Sequence, residues 1–175
     1  MIAFGQSAWV TDVLGAIESL VRAGAALPRE YVFAYLGEPD DLLAHPPGDK
    51  FVAVGVESLP PIDGLVAGGG SAQTAFDGRF RVDVFCRLGS DQQFRDARLL
   101  RDASNGMGRL VKSVIAAVQV QPVPDPTGAT SVLIEPMRLG GAVVFNPRKP
   151  ATGWAWARVP VSAKFRTDFS GNGGL

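Results

Sequence analysis

Residues 154–169 alternate without a break. Ala155, Ala157, Val159, Val161, Ala163, Phe165, Thr167 and Phe169 fall on one side, and Trp154, Trp156, Arg158, Pro160, Ser162, Lys164, Arg166 and Asp168 on the other. Successive side chains of a strand point to opposite faces, so a run this long with one apolar side belongs to a sheet packed on a core. Residues 79–88 repeat the pattern: Phe80, Val82, Val84, Cys86 and Leu88 oppose Arg79, Arg81, Asp83 and Arg87, with Phe85 the one apolar residue on the polar side. Pro160 has no N–H to give to a neighbour, which predicts an edge strand or a bulge there.

Two further segments carry helical spacing. Residues 7–22 place Trp9, Val10, Val13, Leu14, Ile17, Leu20 and Val21 on one side, with Ser7 a candidate N-cap, Gly24 placed to stop the helix and Pro28 to prevent its resumption. Ser90 and Gln93 have the spacing of a capping box. The helix they open runs to about Val118 on a stripe of Leu99, Leu100, Ala103, Met107, Leu110, Val111, Val114, Ile115 and Val118. Gly106 and Gly108 weaken its middle by about 1 kcal/mol each relative to Ala.

Short strands are predicted at residues 31–36, 50–59, 131–137 and 141–145, the last two as a hairpin about Gly140-Gly141. Gly37-Glu38-Pro39-Asp40-Asp41 reads as a turn, and residues 62–77, centred on Gly68-Gly69-Gly70, as a flexible loop. The order helix, strands, long helix, strands predicts an α+β fold: two helices packed on one face of an antiparallel or mixed β-sheet. At 175 residues the chain fits a single domain, residues 1–170, followed by a flexible C-terminal tail, residues 171–175.

The chemistry-bearing residues are few. The single histidine, His45, stands beside Pro46-Pro47, so neither a Ser-His-Asp set nor a histidine metal site is predicted. The single cysteine, Cys86, lies on the apolar side of its strand, where an inert buried thiol is expected. Glu38, Asp40 and Asp41 form the one dense carboxylate group and need no metal to explain them. The glycine triplet lacks the Lys-Ser/Thr of a phosphate loop. No catalytic, cofactor-binding or metal-binding residue is assigned, and the chain is read as a non-enzyme with no cofactor.

Seventeen basic residues against seventeen acidic ones give zero net charge, which argues against a protein whose task is to grip nucleic acid. It also mildly favours self-association. No signal-peptide order and no apolar run of membrane-spanning length are present, so a cytoplasmic start and no membrane partner are expected.

Two features stand out. Arg95, Arg98, Arg101, Arg109 and Lys112 lie in one sector of the long helix, a solvated face or a stripe facing a lumen or partner. Trp154 and Trp156, with Arg158, sit opposite the aliphatic residues of the last strand. Tryptophan is enriched at protein contacts, which makes these three a candidate interface, unless the domain's own loops cover them.

Taken in order, the chain resembles the tail terminator, or tail completion, family of long-tailed bacteriophages. The resemblance covers roughly residues 7–169. It rests on the initial amphipathic helix and short strand, then on Lys50-Phe51-Val52-Ala53-Val54-Gly55. It continues through Phe80-Arg81-Val82-Asp83-Val84-Phe85-Cys86-Arg87, the capped helix from Ser90 to Val118, and the Trp-containing strand from Trp154. Residues 60–76 and 122–150 are longer than in that pattern. The resemblance implies a structural virion protein, assembled in the host cytoplasm, that forms a homo-hexameric ring capping the tail tube. Its implied partners are the tail tube protein and the head–tail connector or neck protein, with DNA only passing non-specifically through the lumen. Another neck, head-closure or minor tail protein is the alternative, ahead of a small-molecule binding module or an unrecognised enzyme.

Overall fold

The computed structural model describes residues 9–62, 73–87, 106–119, 133–145 and 153–168. Its organising element is a pair of fifteen-residue strands, β3 (Gln73–Arg87) and β6 (Trp154–Asp168). They run antiparallel in unbroken register from Gln73↔Asp168 to Arg87↔Trp154. β2 (Lys50–Ser58) pairs antiparallel with β3, and the short β1 (Val32–Ala34) pairs parallel with β2. On the far side of β6 lie two two-residue strands, β4 (Arg138–Leu139) and β5 (Val144–Phe145), both antiparallel to it. The result is a six-stranded mixed sheet in the order β1-β2-β3-β6-β4, with β5 also on β6. With the three helices of the described residues it makes an α+β domain.

Alternation gives the sheet two different faces. Val52, Val54, Phe80, Val82, Val84, Cys86, Ala155, Ala157, Val159, Val161, Ala163 and Phe165 form the sheet's share of the main core. Val13, Leu14, Ile17 and Val21 of α1 (Val10–Ala25) join that cluster, as do Met107, Leu110, Val111, Val114 and Val118 of a second long helix (Met107–Gln119). A second cluster uses the alternate residues: Phe51, Ala53, Phe85, Trp154 and Trp156, with Leu43. Leu43 comes from α2 (Pro39–Ala44), a short helix at the residues expected to form a turn. Pro39 occupies a first-turn position, where its missing N–H costs nothing. The Met107–Gln119 helix is therefore α3.

Several expectations change. Gly24 lies inside α1, which ends at Ala25 with Ala26 in the left-handed conformation, φ 51°. A Cβ on Gly24 would stand 2.6 Å from the Ala117 Cβ, so the glycine lets α1 and α3 approach closely. The N-cap is Trp9, whose amide donates to the Asp12 carboxylate at 2.7 Å. β3 begins before Arg79, at Gln73, so its start takes over the end of the expected loop. Between residues 131 and 137 the described part is not a strand; Leu133 makes only an isolated bridge to Phe165. β4 and β5 do not form a hairpin with each other, because each pairs with β6.

β6 is also no edge strand. Pro160 pairs with Arg81 on β3, and its carbonyl accepts the Gly140 N–H at 3.0 Å. In an antiparallel ladder a residue's N and C=O point to the same neighbour. The missing N–H of Pro160 therefore faces Gly140, just past the end of β4, and the ladder to β3 loses no bond. The expected cap at Ser90, the glycine triplet and the 171–175 tail lie outside the described residues.

Replacing Gly24 with Val should destabilise the protein by about 2 kcal/mol through overpacking at the helix crossing. Ala117→Gly in the same chain should recover part of that loss. Urea unfolding of the single and double variants reads the coupling, and strictly additive losses would rule out the crossing as the cause.

Candidate contact surface

The second face of the sheet is divided along the strands, and the register lays out the division row by row. Phe51, Phe85 and Trp156 form an aromatic row. Phe51 stacks on Phe85 at 4.6 Å between ring centroids, and Phe85 on Trp156 at 5.9 Å. The next row is Ala53, Asp83, Arg158 and Val144; then come Gly55, Arg81 and Pro160; then Arg79, Ser162 and Arg138. Asp77 with Lys164, and Ala75 with Arg166, complete it.

Asp83 marks the boundary between the apolar and charged halves. It is 2% exposed, and a carboxylate can be buried so deeply only when its oxygens are occupied. The Trp156 indole N–H donates to Oδ1 at 3.1 Å. Arg158 donates Nε to Oδ1 at 2.8 Å and Nη2 to Oδ2 at 3.2 Å, the two-pronged geometry in which a guanidinium matches a carboxylate. Arg81 Nε approaches Oδ2 at 3.3 Å. The Arg158 guanidinium also lies 5.3 Å from the Trp156 ring centre. Desolvation alone would lower the Arg158 pKa, but its hydrogen bonds to Asp83 and the charges of Asp83, Glu57 and Glu38 hold it above the ordinary value.

Arg81 ties this cluster to the far edge of the sheet. Its Nη2 donates to the Gly37 carbonyl at 2.7 Å, in the turn between β1 and α2. To get there it crosses Gly55, where a Cβ would stand 2.8 Å from Arg81 Nε and 2.9 Å from the Tyr35 carbonyl. Glycine is required because an arginine side chain lies against it. The turn so anchored leads through Glu38 into the first turn of α2 with Asp40 and Asp41, and all three are exposed. Tyr35, beneath it, has its hydroxyl pKa raised first by desolvation, then by the charge of Asp41 and a hydrogen bond to it, and then by Glu38.

Beyond the Asp83 row the face is charged and partly open. Arg138 and Lys164 share Glu135, at 3.4 and 2.9 Å, and Ser162 donates to Asp77 at 2.7 Å. Arg79 is exposed and Arg166 half-buried, and neither makes an ion pair among the described residues.

Of the candidate interface, Trp154 and Trp156 are covered by the domain itself. Trp154 is 7% and Trp156 1% exposed, enclosed with Leu43 of α2, Phe51 and Phe85, and packed by Tyr31, Phe33 and Tyr35. They are core residues of the single chain, while Arg158 retains 25% side-chain exposure. Of the expected basic stripe, Arg109 and Lys112 are exposed on α3, and Arg109 borders an open cleft with Lys50 and Ser113. Arg95, Arg98 and Arg101 lie outside the described residues. The row of Arg79 and Arg138 went unnoticed in the sequence. Arg79, Lys164 and Arg166 were legible on polar strand faces, but only the register brings them together with Arg138. Among the described residues the large apolar side chains left exposed are Trp9, Leu36, Val144 and Phe145.

No protein-family model and no curated protein matches the chain. Among solved structures it is similar to the sheath/tube terminator of an extracellular contractile injection system, PVC, in the extended state. The TM-score is 0.38 at 10% identity, over 97% of this chain and 61% of that one. The chain thus spans about three fifths of the length of that structure.

Asp83→Asn should cost about 3 kcal/mol in chemical unfolding, because it leaves two partly buried guanidinium groups without their shared charge. Trp156→Ala should cost about 3–5 kcal/mol. A Trp156→Ala monomer of unchanged stability would return that side chain to the surface.

Proposed function

We propose that this chain is a structural subunit of a phage-type tail, closing with copies of itself into a homo-hexameric ring that caps the tail tube. In this reading the ring contacts the tube protein on one side and the head–tail connector or neck protein on the other. DNA passes through the lumen without specific contacts, and the ring resides in the tail and neck of the virion. The work is done by shape and surface contact, without bond-making chemistry.

The observation that carries the reading is the pair of unlike edges of the sheet. β1 is the outer strand on one side, and β4 and β5 are the outer strands on the other. Among the described residues no further strand pairs with either. β1 is parallel to β2, β2 and β6 are both antiparallel to β3, and β4 and β5 are antiparallel to β6. β1 therefore runs opposite to β4 and β5. Copies set side by side would bring antiparallel edges together, the arrangement in which two strands can bond directly.

Such a contact joins different surfaces of the two copies, and a head-to-tail contact closes into a ring when its rotation permits. Apolar side chains wait at both edges: Leu36 is 70% exposed just past β1, and Val144 and Phe145 are 44% and 46% exposed on β5. The order of elements behind the resemblance to tail terminators supports the same reading.

In sedimentation velocity and negative-stain microscopy the purified protein should form annular oligomers at high concentration. Phe145→Asp should weaken that assembly by about tenfold or more, since it places a charge where apolar surface is removed from water. A wild-type chain that stays monomeric at every concentration, with or without tube protein, would overturn the proposal.

A further inference from the structure

The two rims of the sheet stand level. Through the pairing, Val32 of β1 shares a row with Val52, Val84, Ala157 and, on β5, Phe145. Phe33 shares the adjacent row with Ala53, Asp83, Arg158 and Val144. The edge strand on one side is therefore at the same height as β5 on the other. Continuing the β1–β2 register by two residues brings Leu36 level with Val56, whose row ends at Leu139 of β4.

The backbone groups of the rims also turn outward in matching rows. Successive residues of a strand direct their N–H and C=O to alternate sides. The Tyr35 amide donates to the Val54 carbonyl at 2.8 Å, so Tyr35 and Phe33 face β2 and both groups of Ala34 point away from the sheet. Val32 directs its C=O outward, while its N–H is held by the Arg29 carbonyl. On the other rim the Gly140 N–H reaches the Pro160 carbonyl, so Pro160 and Arg158 face the outer strands, and Val144, opposite Arg158, faces back. Val143 and Phe145, on either side of Val144, then point away from the sheet. Among the described residues these outward groups take no partner.

We infer that β1 of one copy adds to β5 of the next as an antiparallel strand, with Val32 opposite Phe145, Phe33 opposite Val144 and Ala34 opposite Val143. The inference rests on the ring reading and specifies the contact through which its subunits join.

The match of rows is what selects a second copy. Had the outward groups of β1 fallen one row from those of β5, a level contact would have brought non-bonding positions together. A slip of one residue to restore the bonds would have set the two faces of neighbouring copies on opposite sides. Here the bonds, the height and the faces agree without a slip. A foreign extended chain would satisfy one rim and leave the other open, whereas each added copy completes one rim and renews the other. The same contact removes the exposed Leu36, Val144 and Phe145 from water together and sets Leu36 beside the neighbour's Leu139. Ala34, small and exposed at the centre of the contact, puts no bulk in the way.

The test uses the full chain and two kinds of variant. Ala34→Pro removes only an outward N–H, at an edge position that accepts proline. It should leave thermal unfolding unchanged and weaken self-assembly by about tenfold or more in sedimentation velocity. Phe33→Cys with Val144→Cys places two thiols at a non-hydrogen-bonded pair across the contact, where Cα atoms stand about 4.5 Å apart, within the reach of a disulfide. Within one copy four strand spacings, about 19 Å, separate the two positions, so they cannot join to each other. Mild oxidation should give a ladder of covalent species beyond the dimer in non-reducing electrophoresis. The wild type, with its buried Cys86, and each single-cysteine variant should give none. Should the double variant fail to fold, Ala34→Pro alone decides.

If the wild type assembles but Ala34→Pro leaves assembly intact, or the folded double variant forms no ladder, the contact is wrong and the ring reading stands. Covalent dimers from a single-cysteine variant, with no ladder from the pair, would mean that an edge meets its own copy and would overturn the inference. If the wild type stays monomeric with and without tube protein, the ring reading fails and this inference with it.

Discussion

The register between β3 and β6 is the constraint from which the rest follows. Strand side chains have a period of two, so a slip of one residue would turn every buried residue of β6 to the opposite face. In the register observed, Val82 meets Val159 and Val84 meets Ala157 in the main core. In the same register Asp83 meets Arg158 and Phe85 meets Trp156 on the other side. The alternative pairings would bury a carboxylate among aliphatic side chains, at a cost no other contact offsets. The Asp83 cluster thus serves as the lock on alignment, and the aromatic row beside it becomes a second core.

Both faces of the central strands are in use as a result. A two-layer fold usually leaves one sheet face to water. Here the helices α1 and α3 share a core cluster with one set of alternating residues, and α2 with its neighbouring aromatics encloses half of the other set. Among the described residues, what the sheet itself leaves open is the charged rows beyond Asp83, the two edges and a few apolar side chains. The proposed function falls on that remainder.

The parts visible in the sequence are those governed by local periodicity. The alternation from Trp154 onward, that of Phe80 to Cys86 and the helical spacing of Val13, Ile17 and Val21 each state their own element. The parts that escaped are those that depend on distant partners. Gly37-Glu38-Pro39-Asp40-Asp41 has turn composition, yet proline at a first-turn position and acids after it also start a helix, and only Leu43 finding Phe51 and Trp156 decides between them. Whether Trp154 and Trp156 were covered stayed open because they share a strand side with arginine and lysine. Phe85, the single apolar residue among the charges of β3, was the signal that this side had a core of its own. Gly24 was read as a helix end because its reason for being glycine, Ala117, lies far along the chain.

Pro160 has a consequence for how far any growth can go. It stands in the middle of β6 with nothing to donate, and the outer strand answers by splitting into two short pieces around it. A flat, continuous rim would template strand after strand without limit, the route by which sheets become fibres. A rim broken at its centre offers only two brief grips, too little to recruit arbitrary extended chains. In the proposed ring, attachment there would have to be completed by side chains that only the right neighbour possesses, and growth would stop at a finite particle.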